Sequence, residues 1–281
     1  MTHPGPTAPP VSTKSTLRRL IGRHPMVSFF VLACAISWSF VPFLGFPLGV
    51  GPFISALIVL SSTEGLAGIK NLFRRIIHWR VSWKWYALAL GLPVAAAIGA
   101  AVVTVALGAP APSAARLATW TDIVPTFLFL VLVPLMGPWE EPGFRGFALP
   151  GLMGDRTPLF AGLVVGVMHV LWHAPLFFMG EIPAADVVYI MAAAVIFAWI
   201  VVGSGGSVLL AMLMHASSNA VSGEYISPMF TGADGSTLGW IRAGMWSVFA
   251  VAVVLALGPS LRGRRSDTNV ATAPEPAMPR L

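Results

Sequence analysis

Apolar residues run along this chain in long blocks, without the two-residue alternation of half-buried strands, and polar residues collect in short segments between them. A block of about 20 apolar residues is long enough to cross a bilayer as a helix. Such blocks cover residues 26–46, 85–107, 158–179, 187–202 and 238–257. Shorter ones cover 50–62 and 207–221, and a run beginning at residue 123 leads into a cluster of charges near residue 140. Together they predict an all-α, polytopic integral membrane protein with about eight transmembrane helices. The ends read as disordered tails, 1–25 rich in Pro, Thr and Ser and 259–281 polar, which leaves 26–258 as a single membrane domain.

Composition changes this picture little and excludes a good deal. Of the 281 residues 56% are hydrophobic and 10% charged, whereas typical globular chains carry about 25% charged residues. That is too little polar surface to coat a soluble domain. The net charge of +6 does not point to nucleic acid, because Lys and Arg sit beside apolar spans. Lys70, Arg74, Arg75, Arg80 and Lys84, interleaved with Ile76, Ile77 and Trp79, read as a basic segment at the anionic membrane surface. The connections alternate between basic and acidic, and the positive-inside rule then places both termini in the cytoplasm of a cell-membrane protein. The single cysteine, Cys34, lies within the first span, so no intrachain disulfide exists and the residue reads as packing.

The chemistry concentrates in Gly137-Pro138-Trp139-Glu140-Glu141-Pro142-Gly143-Phe144-Arg145-Gly146. An ionised group at the centre of a membrane helix costs about 2.5–3.5 kcal/mol even on lenient scales, so three together imply partners and a purpose. Pro134, Pro138 and Pro142 recur every four residues and remove backbone donors, which predicts a kinked or broken helix. Neighbouring helical side chains diverge by about 100°, so Glu140 and Glu141 should divide their roles. Glu141 is spaced to pair with Arg145 and neutralise it, which leaves Glu140 to act as a general base. The other ionisable groups read within the spans are histidines: His169 and His173 in the fifth, and His215, four residues before Asn219, in the seventh. Glu140, His173 and His215 lie roughly 12–22 Å from the cytoplasmic ends of their spans, so three helices can build one intramembrane polar cavity. Asn219 and a histidine N–H can stabilise an oxyanion. His169 reads as packing or as support behind the reacting groups, because Val170 follows it where an H-E-x-x-H zinc motif needs Glu.

In order and spacing, three of these stretches resemble the motifs of the CPBP family, the CAAX-processing and bacteriocin-processing or Abi intramembrane proteases related to Rce1. Glu140-Glu141 with Arg145 matches E-E-x-x-x-R, and His215 with Asn219 matches H-x-x-x-N. His173 matches the histidine of F-x-x-x-H, although His169 stands where the family has an aromatic residue. The likeness covers about 134–221. It implies hydrolysis of a peptide bond in a membrane-associated protein or peptide by an endopeptidase of the CAAX prenyl protease type. Carried over, Glu140 activates a water with His173, His215 and Asn219 steady the oxyanion, and Glu141 with Arg145 supports the site. Glu140, His173 and His215 also make a reasonable three-ligand set for zinc or another divalent metal. Metal binding would occupy the base, so no cofactor is favoured. Two further readings are a non-catalytic bacteriocin-immunity or scaffold protein and a proton- or ion-coupled transporter, the latter lacking an internal repeat.

Overall fold

The chain folds into helices joined by short turns, and the computed structural model describes residues 13–262 apart from 136 and 155. No strand occurs among the described residues. Helix α1 spans Thr13–Arg23, which corrects the expected tail through residue 25. Leu17, Leu20 and Ile21 recur at helical spacing between the basic residues, and Ile21 is buried in the main core. The expected tails over 1–12 and 263–281 lie outside the described residues.

Helices α2 (Pro25–Trp38) and α3 (Val41–Leu44) form the first apolar stretch, interrupted just before Pro42. Helix α4 (Gly51–Thr63) packs back on α2, and α5 (Gly65–Ile76) carries the basic segment. The long α6 (Trp83–Ala106) is followed by α7 (Ala114–Ala118) and α8 (Ile123–Leu132). Here the proline repeat acts as expected. The helix stops at Leu132, and the chain resumes as a 3-10 turn (Gly137–Glu140), α9 (Glu141–Gly143), a π turn (Phe144–Ala148) and α10 (Leu149–Met153).

The span expected at 158–179 is divided into α11 (Pro158–Trp172) and α12 (Ala174–Met179), with His173 at the junction. Pro175 has no N–H and cannot continue the ladder, and Leu176 N–H turns to the His173 carbonyl at 2.9 Å. That frees the Trp172 carbonyl, which accepts instead from the Trp38 indole N–H at 2.9 Å. Helices α13 (Ala185–Gly203) and α14 (Val208–Ser218) follow, and α14 runs on through π turns to Ile226. Helix α15 begins at Gly232 and ends at Leu257. The segment 223–237 between the last two apolar blocks is therefore largely helical, and Ile226 and Phe230 bury against Ala97 and Ala100 of α6. The start of the C-terminal tail expected from 259 is packed on the bundle too: Leu261 is fully buried, and the Pro259 carbonyl accepts from Leu159 N–H.

Among the described residues five stretches are long and apolar enough to cross a membrane: Pro25–Leu44, Trp83–Ala106, Ala114–Met153, Ala185–Gly203 and Gly232–Leu257. Gly51–Thr63 and Pro158–Trp172, where two further spans were expected, are shorter apolar helices. Large apolar side chains such as Phe43, Leu107, Leu132 and Leu255 face outward, as a lipid environment requires. Helix α13 is the most buried span and packs against α11, α14 and α15. Its contact with α11 is close because Gly162 and Gly166 face Ala198 and Ala194. A Cβ on either glycine would lie 2.9 Å from the facing alanine Cβ. Seven residues on from each glycine come His169 and His173, so the same close contact carries both histidines along one face of the helix.

Candidate active site

Glu140 ends the 3-10 turn and Glu141 opens α9, and their side chains part as the spacing predicts. Both are buried, at 4% and 0% exposure, as is Arg145 at 2%. Arg145 Nη1 lies 3.2 Å from Glu141 Oε2, and its aligned hydrogen bond goes to Oε1 at 3.3 Å. The guanidinium also lies over the Phe197 ring at 4.7 Å, which holds it in a dry wall of the site. His215 Nδ1 meets Glu141 Oε1 at 2.7 Å. Glu141 thus joins Arg145 to α14.

Glu140 has a different partner, one that the spacing of residues did not reveal. Its Oε2 lies 2.7 Å from His169 Nε2, and His169 Nδ1 lies 3.1 Å from Arg145 Nη1. A guanidinium only donates, so His169 Nδ1 is the acceptor and its proton sits on Nε2, from where it is donated to the Glu140 carboxylate. The imidazole stacks on Phe144 at 4.6 Å, which fixes its plane. His169 therefore touches Glu140 directly. No sequence signal could have shown this pairing, because it joins the broken segment to α11 across 29 positions.

His173 sits where α11 gives way to α12, and its Nδ1 lies 3.0 Å from the His169 carbonyl. A carbonyl only accepts, so Nδ1 carries the proton and Nε2 is left as a free acceptor. Donor atoms of Glu140, His169 and His173 all lie within 4.8 Å of one another. Two hydrogen bonds of about 2.8 Å meeting at a water span a gap of roughly that size. Gly137 completes this end: a Cβ there would fall 2.8 Å from His215 Nε2 and 3.0 Å from Asn219 Nδ2, so both groups converge on one point of its backbone. Glu140, His173, His215 and Asn219 line a single cavity of about 430 Å³. The metal set expected from the sequence does not assemble in this form. Among the described residues the close trio is Glu140, His169 and His173, while His215 is turned to Glu141.

The same cavity has a second polar wall that sequence reasoning missed. Arg242 of α15 pairs with Asp186 of α13, donates to Ser222 Oγ at 3.1 Å and lies 4.7 Å from the centre of the Tyr189 ring. Tyr189 in turn shares a 2.7 Å hydrogen bond with Ser218. The signal was present: an arginine inside the last apolar block carries the same cost as any one charge of the acidic cluster and calls for a partner.

Fold and site together define a multi-pass, all-α membrane protein with a buried acid–histidine cluster opening on an internal cavity. Residues 119–221 match the family model described as Rce1-like, type II CAAX prenyl endopeptidase Rce1-like. A stretch of 107 residues is 32% identical to the CAAX prenyl protease 2 of Methanococcus maripaludis, an alignment covering 34% of this chain and 38% of that protein. The matched residues 119–221, the part of the chain that resembles the Rce1-like family, hold the acidic cluster, the three histidines and Asn219.

Proposed function

We propose that this protein is an intramembrane endopeptidase that hydrolyses a peptide bond of a membrane-associated protein or peptide. The observation that carries this reading is the placement of Glu140 and the free Nε2 of His173 within one water's reach of each other in a cavity of the membrane domain. His169 holds Oε2 of Glu140, and Oε1 is left to take a proton from the water that His173 orients. The hydroxide adds to the substrate carbonyl, and Glu140 then returns the proton to the departing amine. Asn219 Nδ2 and His215 Nε2, converging above Gly137, face the position of the tetrahedral oxyanion. The contact of His215 Nδ1 with Glu141 fixes the ring so that Nε2 points to that position. Arg145 keeps Glu141 in place.

A divalent metal fits this donor set poorly. Ligands about 2.0–2.1 Å from a tetrahedral zinc lie roughly 3.3 Å apart, whereas His169 Nε2 and Glu140 Oε2 are at the hydrogen-bond distance of 2.7 Å. His169 Nε2 also carries the proton that Arg145 excludes from Nδ1, so it has no lone pair for a metal. The reading is accordingly a glutamate-activated water without a metal ion.

The substrate class follows from the setting, a cavity walled by spanning helices. The similar methanococcal protein is a CAAX prenyl protease, which makes prenylated CaaX peptides the first candidates. Charge supports an orientation: Arg74, Arg75, His78 and Arg262 meet at one end of the bundle, which under the positive-inside rule favours the cytoplasm of a cell for that end and for both termini. The test is a screen of prenylated and unprenylated membrane-anchored peptides with the full chain in native-like bilayers, products being read by mass spectrometry. Cleavage by wild-type protein that disappears in Glu140→Gln is the expected result. Cleavage that persists undiminished in Glu140→Gln would overturn the assignment.

A further inference from the structure

A second cavity, of about 520 Å³, lies at the basic end of the bundle and takes no part in the chemistry above. Arg74 and Arg75 of α5, His78 and Arg262 line it, together with Asn71 and Gly206, and no acidic side chain lines it among the described residues. Part of its wall is apolar, with Met153 and Val201. Four separate parts of the fold meet here: the basic helix, the end of α10, the turn after α13 and the chain just beyond α15.

Arg75 forms the floor. Its Nη1 donates to the Gly146 carbonyl at 2.8 Å and its Nε to the Gly206 carbonyl at 3.3 Å. Both described hydrogen bonds go to neutral acceptors, so the guanidinium has no carboxylate partner among the described residues. Burial pushes its pKa down from the ordinary arginine value, as expected for a cation withdrawn from water without a counter-ion. Gly205 and Gly206 turn with φ of 76° and 98°, a conformation that suits only glycine, and a Cβ on Gly206 would stand 3.4 Å from Arg75 Nε. The bare turn keeps the approach to the guanidinium open.

We infer that this cavity is a binding site for a phosphate group, supplied by the headgroup of an anionic lipid. Guanidinium groups and an imidazole around one opening suit the several oxygens of a phosphate. Its place among the ends of spanning helices, with an apolar wall beside it, puts the headgroup of a lipid within reach while its acyl stem lies along the protein. Arg75 joins the cavity to the active-site segment, since Gly146 directly follows Arg145. The inference does not depend on hydrolysis.

Arg74 and Arg262 are exposed and their side chains make no hydrogen bond or ion pair among the described residues, so Arg74→Gln with Arg262→Gln removes cationic charge and leaves Arg75 to support the fold. The full chain is placed in nanodiscs of phosphatidylcholine, with or without phosphatidylglycerol, and lipid retention and thermal unfolding are read. Phosphatidylglycerol should bind and raise the unfolding temperature of wild-type protein, and each arginine lost should weaken binding roughly fivefold. Arg80→Gln with Lys84→Gln, an equal loss of charge outside the cavity, should leave the response intact. Inorganic phosphate reproducing the shift in pure phosphatidylcholine, and losing it in the double variant, would support the anion site and overturn its assignment to lipid. A response that is equal in wild type and double variant, or absent from both, would overturn the site.

Discussion

His169 is held in one tautomer by its two neighbours, since Arg145 can only donate to Nδ1 and Glu140 must then receive the proton on Nε2. The consequence is measurable. Active protein should contain well below one equivalent of zinc on elemental analysis, and chelators should leave its rate unchanged; a stoichiometric metal whose removal and return switches hydrolysis off and on would contradict this protonation. The pairing of Glu141 with Arg145 was legible in the sequence because it obeys the four-residue spacing of one helical turn. The partners of Glu140 and His215 were not. Each lies on another helix, and a spacing rule does not see across a helix interface.

Among the elements, α11 and α13 position the histidines through contacts with no polar component. Gly162 and Gly166 admit Ala198 and Ala194 more closely than two methyl groups could approach each other. Gly166→Leu would drive a side chain into Ala194 and the Met191 sulfur, an overpacking that costs typically 1–3 kcal/mol, about what one or two good hydrogen bonds supply. The expected outcome is earlier unfolding in detergent together with lost hydrolysis. Gly91→Ala on α6, with open space around it, should unfold as wild type does. Were the two variants equally stable, the close contact would not be what sets α11. The proline breaks that shape these elements could be read beforehand at Pro134, Pro138 and Pro142. The break at His173 could not, although Pro175 marks it, because the apolar block runs through it without interruption.

For the whole molecule, the blocks of apolar residues were enough to give the class, and the ends were where the reading fell short. Ile21 and Leu261 bury against the bundle from segments whose composition looked like tail, since a single anchoring side chain leaves little trace in composition. Orientation can be checked with cysteines introduced one at a time at the exposed positions Thr231 and Arg262, on either side of α15, in a Cys34→Ala background. An impermeant maleimide should label Thr231→Cys from outside the cell and Arg262→Cys only from the cytoplasmic face; labelling of both from one side would remove α15 as a span. The division of labour between the two adjacent glutamates is the centre of the mechanism. It is tested most directly by measuring hydrolysis and thermal unfolding side by side for Glu140→Gln and Glu141→Gln in the same bilayers. Glu140→Gln should abolish turnover and melt close to wild type, because the amide keeps the contact with His169 but accepts no proton from water. Glu141→Gln should lose stability, by about 3–5 kcal/mol, because it strands Arg145 in the buried wall. Equal loss of stability and equal residual turnover in the two variants would contradict it.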